Sequence, residues 1–290
     1  MRRELAAVYD ELVRRQQAGE KSVYLSEEAV ALLKETASQV PEKAPATNEP
    51  VVDIVPKKRP KKVAKKTAKP VIEVPPPPTV ELPEGDKQTR WEALREQVMG
   101  DEWCRSQVKA GKKVVFGVGS VDSKIFFCGE APGADEEMQG EPFVGKAGQL
   151  LTKIIQAMGL QRTDVYIGNI MNYRPPMPTP VGNRAPELNE MAYCLPFLKA
   201  QLEVVQPEVI VALGNTAMDG LMGHDPKRRI TKIRGQWMEF DGVPLIPTFH
   251  PSYLLRNQSL ATKRLVWEDM LAVMDKLGMP VSEKQRGFFS

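Results

Sequence analysis

Two loops, each directly after an apolar run, carry the residue types in this chain that are best suited to chemistry. The first loop reads Gly-Glu-Ala-Pro-Gly over residues 129–133 and is followed by Glu136 and Phe143. The second loop spans residues 249–257 and contains His250, one of only two histidines in the chain. Carboxylates, an aromatic ring and an imidazole in one cleft would suit a pocket for a flat, polar ring that is rotated out of a stack. This set suits a phosphate cradle less well.

Apolar runs predict the elements that position these loops. Strands are expected near residues 124–128, 164–168, 208–213 and 244–249, and helices near residues 146–158, 187–205, 215–222 and 262–277. A short hairpin is expected to turn at Asp241 and Gly242. The alternation of strands and helices predicts a three-layer α/β/α fold around a mostly parallel, four-stranded sheet. Loops at the carboxyl ends of parallel strands share one crevice, so we expect the two loops to meet.

Composition divides the chain into four parts. Residues 1–38 have apolar residues at helical spacing, residues 39–86 are rich in proline and lysine, residues 87–278 have a globular composition, and residues 279–290 form a C-terminal tail. The part that is rich in proline and lysine is predicted to be a disordered linker. A segment rich in proline, lysine, alanine and valine cannot bury enough apolar surface to offset the entropy lost on ordering.

Positive charge is concentrated in that linker. The formal net charge is +3, and residues 57–69 contain eight Lys and Arg and no acid, whereas residues 86–290 contain 25 basic and 24 acidic residues. The basic segment is expected to be either a solubilising linker or an arm that contacts DNA phosphates. A second basic strip would face either phosphates or only solvent, and its residues are Lys227, Arg228, Arg229, Lys232 and Arg234.

Cysteine usage and hydropathy indicate the compartment. Three cysteines without an even framework are typical of a reducing environment. The amino terminus has no apolar core of signal-peptide length, and no run approaches the ~20 apolar residues of a membrane span. We therefore expect a cytoplasmic protein without a membrane partner.

Five segments together resemble the uracil-DNA glycosylase superfamily. They are residues 129–151, Tyr-Ile-Gly-Asn at 166–169, Arg-Pro-Pro at 174–176, Asn-Arg-Ala-Pro at 183–186, and residues 249–257. The resemblance covers roughly residues 90–277 and is closest to family 4, the bacterial and archaeal type that usually carries an iron–sulfur cluster. It implies a monofunctional DNA glycosylase that hydrolyses the N-glycosidic bond of uracil in DNA. The abasic site that it leaves would enter base-excision repair.

Two other functions stay open at this point. One is a glycosylase with a shifted base preference, for hypoxanthine or xanthine. The other is a catalytically silent DNA-binding protein on a glycosylase scaffold. Monomeric behaviour is the expectation for a repair enzyme that scans DNA.

The resemblance assigns roles to the residues of the pocket. His250 would donate a hydrogen bond to the uracil oxygen that gains negative charge as the bond breaks. The Asn169 amide would pair with the uracil edge, and cytosine presents the opposite donor and acceptor pattern there. Phe143 would stack beneath the flipped base, with Ala131 and Gly133 completing the uracil pocket.

Two glutamates belong to the same expected site. The resemblance implies that Glu130 and Glu136 contribute to positioning water, contacting uracil or excluding the thymine methyl group, and neither is singled out as the general base. The alternative is that Glu136 belongs with Asp135 and Glu137 to a solvated acidic turn. We expect Asp135 and Glu137 to be solvated in either case.

The segment after His250 resembles the loop that this family inserts into the minor groove. Leu254 or Leu255 would be the apolar wedge that replaces the extruded base in the stack. Ser252 and Arg256 would hold phosphates, which position the protein without reading the sequence. An ordinary helix start with Ser252 near its cap is the alternative, and both can hold together.

The chain departs from the family at the cluster cysteines. Cys104 supplies only the first cysteine of a Cys-x-x-Cys pair, Tyr173 stands where a third cysteine is expected, and Cys194 matches the fourth. Cys128 lies in a predicted strand and is expected to be a small buried hydrophobe. Two thiolates are too few for a [4Fe–4S] cluster, so we expect no cluster and no other metal. Tyr173 and Trp103 are expected to fill the vacated space.

Overall fold

The computed structural model describes residues 73–177 and 182–289. The expected N-terminal helical segment and the basic segment 57–69 lie outside these described residues, so both stay predictions.

A six-stranded sheet forms the centre of the described part. Its strands are β1 (Val118–Gly119), β2 (Ile125–Gly129), β3 (Tyr166–Asn169), β4 (Val209–Leu213), β5 (Met238–Phe240) and β6 (Val243–Thr248). Their order is β1-β3-β2-β4-β6-β5, and the inner four strands are parallel. The predicted parallel core is confirmed, but the sheet has six strands rather than four, because short antiparallel strands β1 and β5 flank it. β5 and β6 form the predicted hairpin.

Helices cover both faces of this sheet. They are α1 (Lys87–Gly100), α2 (Glu102–Gln107), α3 (Ala134–Gln139), α4 (Lys146–Ala157), α5 (Leu188–Val205), α6 (Asn215–Met222), α7 (Ile230–Ile233), α8 (Pro251–Arg256), α9 (Leu260–Lys276) and α10 (Glu283–Arg286). The described helices are all too short or too polar to cross a membrane.

Alternating strand residues divide the core into two layers. In β2, Phe126 and Cys128 pack with side chains of α1, α5 and α6, whereas Ile125 and Phe127 pack with side chains of α4 and α9. This alternation follows from the two-residue period of a strand. Because both faces are covered, β2 is buried along its whole length, as is typical of parallel strands.

Residues on both sides of the expected catalytic domain, 87–278, pack against it. Val74, Val80 and Leu82 lie in the expected linker, yet they pack against the core. At the other end, the Trp267 indole donates to the carbonyl of Gln285 at 2.6 Å. Both the end of the linker and the C-terminal tail therefore contribute packing to the body.

Candidate functional site

The two loops meet at the carboxyl edge of the sheet, as the parallel strands predict. Gly129 and Asn169 are paired neighbours at the ends of β2 and β3. The second loop leaves β6 after Thr248, on the far side of β4. The Phe143 and His250 rings, one from each loop, lie with centroids 5.6 Å apart. The structure therefore brings Asn169, Phe143 and His250 into one site.

Asn169 presents an unpaired acceptor. Its side chain is only 6% exposed, and its Oδ1 atom is buried without a hydrogen-bond partner among the described residues. A Cβ atom at Gly129 would collide with both this oxygen and the Phe143 ring, so glycine permits their close approach. Leaving such an acceptor unpaired costs about 1–3 kcal/mol, and a ligand with an N–H donor would recover this free energy.

Phe143 is held in an unusual backbone conformation. Its φ angle is +54°, in the left-handed region that non-glycine residues rarely adopt. The residue is nevertheless buried, and a Cβ atom at Gly148 would collide with its carbonyl group. Such strain costs about 1–3 kcal/mol and persists only where neighbouring contacts enforce it.

Glu136 supplies those contacts. One carboxylate oxygen accepts the N–H groups of Val144 at 3.0 Å and Gly145 at 2.9 Å. The other oxygen accepts the N–H group of Gly133 at 3.1 Å. The side chain thus ties the Gly133 turn to the segment that follows Phe143. Both oxygens are engaged by the backbone, which leaves Glu136 poorly placed to act as a base.

Glu130 is the other glutamate of the expected site, and no backbone N–H bond to its carboxylate is seen among the described residues. It is half-buried, and burial raises the pKa of its carboxyl group, while a hydrogen bond from Thr216 in α6 opposes that rise. A carboxylate with a raised pKa is suited to proton transfer.

The acidic turn is only partly solvated. Asp135 is exposed as expected, but Glu137 is buried, so the expectation that it is solvated was wrong. Its carboxylate binds the Arg174 guanidinium at 2.7 Å and lies 3.5 Å from Lys112. A buried carboxylate requires such partners, and their positions in space could not be inferred from spacing along the chain.

His250 caps α8 with its ring. The Nδ1 atom accepts the backbone N–H of Ser252 at 3.1 Å and lies 2.9 Å from the Ser252 hydroxyl. Because Nδ1 is an acceptor, the neutral ring carries its proton on Nε2. Burial, together with the positive charge of Arg256, lowers the pKa of His250 to about 4. The ring is therefore a neutral donor at pH 7.

Helix α8 distinguishes between the two candidate wedge residues. Leu254 is 5% exposed and packs with Phe249 and Val266. Leu255 is 38% exposed, and Arg256 beside it is also exposed. Only Leu255 is free to enter a neighbouring molecule without unpacking the core.

The second basic strip is not fully available to phosphates. Arg228 donates to the carbonyls of Met218 at 3.0 Å and Gly223 at 2.7 Å, at the end of α6. It also lies 3.4 Å from the Asp219 carboxylate. These contacts engage one terminal nitrogen of Arg228, so only its remaining N–H groups could bind a phosphate.

Arg234, from the same strip, is bound to the buried Asp269 carboxylate, so the expectation that it faces phosphates or solvent was wrong. Lys227 is exposed.

Two supporting residues were not predicted from the sequence. Thr216 reaches Glu130 from α6, and Arg162 donates to the carbonyl of Pro142, just before Phe143. Neither residue lies in a recognisable motif. Only the fold brings them to the loops.

The region of the expected cluster cysteines is closely packed. Cys104 and Cys194 are fully buried and in hydrogen-bond contact, which, together with burial, raises the pKa of the Cys104 thiol. Tyr173 is also fully buried, and the Trp103 indole donates to its hydroxyl at 3.2 Å. The chain's third cysteine, Cys128, lies in β2. This donor set does not fit a [4Fe–4S] cluster, which requires four thiolates.

No other metal site emerges from the described ranges, where no three His, Cys, Asp or Glu side chains are grouped closely enough to hold an ion.

Comparisons with known proteins identify a family for this chain. Residues 116–271 match the family model of the uracil DNA glycosylase superfamily. The chain is 48% identical over 158 residues to a type-4 uracil-DNA glycosylase of Thermotoga maritima. The aligned region covers 54% of this chain and 79% of that protein. It is 36% identical over 176 residues to the Saccharolobus solfataricus type-4 enzyme (58% of this chain, 78% of that protein). It is also 36% identical over 187 residues to the Archaeoglobus fulgidus enzyme (62% and 88%).

Proposed function

The chain belongs to the uracil-DNA glycosylase superfamily, and from that premise we propose that it is a monofunctional uracil-DNA glycosylase. It hydrolyses the N-glycosidic bond of uracil in DNA and leaves an abasic site for base-excision repair. One observation carries the proposal most directly. The buried Oδ1 atom of Asn169, unpaired among the described residues, lies beside Gly129, as the Phe143 ring does, in the same site as a neutral histidine donor.

Recognition of uracil follows from the atoms of this pocket. The flipped base stacks on Phe143, and its imide N–H donates to Asn169 Oδ1, which has no other partner among the described residues. The Asn169 amide N–H₂ then donates to a uracil oxygen. Cytosine lacks the imide N–H and presents an amino group to another donor, so both positions would be unsatisfied. A site built on such pairing can discriminate by about 10⁴–10⁵-fold.

We infer that His250 stabilises the negative charge that develops on uracil as the glycosidic bond breaks. The electron pair of the glycosidic bond leaves with uracil, and negative charge develops on its ring oxygen. The Nε2–H group of His250 donates to that oxygen, while Nδ1 stays bonded to Ser252. A preorganised neutral donor stabilises the departing anion without first giving up a proton.

We assign the activation of the attacking water to Glu130 and the positioning of the loop to Glu136. Glu130 orients the water that attacks the sugar carbon and accepts its proton, and its raised pKa favours this role. The three backbone bonds of Glu136 support a different role, which is to hold Phe143 in its strained conformation. Ala131 and Gly133 complete the pocket wall, and Ser252 and Arg256 contact phosphates.

The proposed base specificity is tested with four otherwise identical duplexes that contain uracil, hypoxanthine, xanthine or thymine. We expect free uracil and an alkali-labile site from the first duplex and at most traces from the others. Release of a purine at a comparable rate would indicate the shifted preference. Salt-dependent binding to every duplex without base release would indicate the silent DNA-binding protein.

Leu255 is proposed as the wedge, and its role yields a prediction. Leu255→Ala is expected to lower activity on double-stranded uracil DNA by about tenfold, because the side chain offsets an unstacking cost of a few kcal/mol. Activity on single-stranded DNA is expected to fall much less, since no partner strand must be separated. Initial rates on the two substrates measure the difference.

Leu254→Ala is the matched control. It removes a buried side chain and is expected to lower the unfolding free energy by about 2–5 kcal/mol without any preference between the substrates. An equal loss by Leu255→Ala on single- and double-stranded DNA would contradict the wedge.

We propose that the fold is stable without an iron–sulfur cluster, supported by the packing of Trp103, Tyr173, Cys104 and Cys194. Protein purified without air is expected to contain iron well below one atom per chain, and an iron chelator should leave Tm unchanged. As a positive control, Tyr173→Ala is expected to lower the unfolding free energy by about 3–5 kcal/mol, as for other large aromatic side chains. A content of about four irons per chain would contradict the proposal.

We further propose that the enzyme is a cytoplasmic monomer and that residues 57–69 add contacts to DNA. Eight basic residues without an acid support this role for the segment. Such contacts add affinity that weakens with salt and carry no base information.

A further inference from the structure

We propose that Asp269, on α9 and outside the base pocket, is a positioning residue for His250 that acts through Thr248. As it concerns turnover, this inference rests on the proposed glycosylase function. The placement of the His250 ring can be tested independently of it.

The carboxylate of Asp269 is the centre of a buried network. Its side chain is 1% exposed, and Oδ2 accepts the Thr248 hydroxyl at 2.6 Å. The same oxygen accepts Arg234 Nε at 3.0 Å, and Oδ1 accepts the terminal nitrogen of Arg234. The charged pair compensates for the burial of the carboxylate, which would otherwise be costly.

The backbone has been shaped around this carboxylate. Gly235 has a φ angle of +73°, and a Cβ atom there would lie 2.6 Å from Asp269 Oδ1. The Gly235 N–H donates to the carbonyl of Pro247 at 2.9 Å, which ties the Arg234 segment to β6. Glycine therefore serves both the close approach and the turn.

Thr248 connects Asp269 to the segment that carries His250. It is the last residue of β6 and lies two residues before His250. Its hydroxyl is held by Asp269, and its carbonyl accepts the Gly214 N–H at 2.9 Å. A Cβ atom at Gly214 would lie 3.0 Å from the His250 Cβ. The chain between Thr248 and His250 is thus packed from both sides, so a shift at Thr248 displaces the imidazole.

Ionised Asp269 is the species that performs this task. Burial raises its pKa to about 6, against the opposing effect of the hydrogen bonds from Arg234 and Thr248. Above that pH the carboxylate accepts all three bonds. Neither Asp269 nor Thr248 belongs to the base pocket, and their effect reaches the reaction only through His250.

Thr248→Val and Thr248→Ser form the matched test. Valine keeps the branched shape but loses the hydroxyl, whereas serine keeps the hydroxyl. We expect Thr248→Val to lower kcat by on the order of tenfold with an unchanged KM for uracil DNA, because small misplacements of a catalytic group are costly. Thr248→Ser should keep kcat near wild type.

A double-mutant cycle tests whether Asp269 acts through Thr248. Asp269→Asn should lower kcat by a similar factor, and the double variant with Thr248→Val should lose no more than the worse single variant. Additive losses would overturn the route through Thr248.

Nitrogen NMR of ¹⁵N-histidine-labelled protein gives a readout that a merely structural role would not move. The chain has only two histidines, so His224 serves as the internal reference. Wild type should show one Nε2–H tautomer for His250 at pH 7, and Thr248→Val and Asp269→Asn should shift or broaden its signals. Unchanged His250 signals and kcat in both variants would overturn the proposal. Absence of turnover by wild type would refute the glycosylase function, while the NMR comparison would still decide the positioning role.

Discussion

Replacing His250 by alanine is expected to lower kcat for uracil release by about 10²–10³-fold, the usual effect of removing one donor to a developing anion. The Nδ1 contact with Ser252 fixes the tautomer, so the lost group is the Nε2–H donor. Binding of the protein to abasic DNA should change little, since the donor acts on uracil. Single-turnover rates measure the loss.

His224→Ala is the control, because His224 is exposed and bonds Asp219 at the end of α6. It should keep wild-type kcat. A His250→Ala variant with kcat within about threefold of wild type would contradict the assigned donor, since that is under 1 kcal/mol in the barrier.

The lowered pKa of His250 adds a pH dependence with a definite sign. In the folded protein the pKa is about 4, below the ordinary 6.5, so the folded state resists protonation. Activity should therefore stay independent of His250 ionisation at pH 6–8 and fall as pH approaches 4. The free energy of unfolding should fall as pH decreases from about 6.5 towards 4, because the unfolded chain binds the proton at a higher pH than the folded protein does.

Asn169→Ala is expected to reduce kcat/KM for uracil DNA by on the order of 10³-fold, because the variant cannot pair with the uracil edge. Its stability should not fall correspondingly. The wild-type Oδ1 atom is buried without a partner among the described residues, so its removal relieves an unsatisfied group. Loss of activity without loss of Tm is the signature of a residue kept for substrate.

Asn172→Ala provides the contrast. Asn172 is equally buried but donates to the carbonyl of Val115 at 3.1 Å, so its loss should lower Tm and spare the preference for uracil. If Asn169→Ala lowered Tm as strongly as Asn172→Ala and retained activity, the Asn169 amide would be structural.

The sheet could be predicted from the sequence where burial leaves a pattern. The inner strands are continuous apolar runs because helices cover both faces. Strand β1 has only two residues, Val118 and Gly119, and its pairing with β3 depends on a glycine that lies against the Val165 carbonyl. A strand of this kind leaves no periodicity along the chain.

In the candidate site, the residue types were predictable but their hydrogen-bond partners were not. Strand ends placed Asn169 and His250 at one crevice, whereas nothing local indicated that Glu136 accepts three backbone N–H groups. Arg228 belongs to a basic strip in the sequence, yet one of its terminal nitrogens is bonded to carbonyls at the end of α6. The sequence shows which charged groups are present, but only the fold shows which hydrogen-bond partners these groups already have.

The most direct test is release of uracil from a labelled duplex with one uracil, by wild type, His250→Ala and Asn169→Ala in parallel. Wild type is expected to release free uracil and to give alkali-dependent cleavage, and both variants are expected to release much less. No uracil release by pure wild-type protein that still binds the duplex would contradict the proposed glycosylase activity.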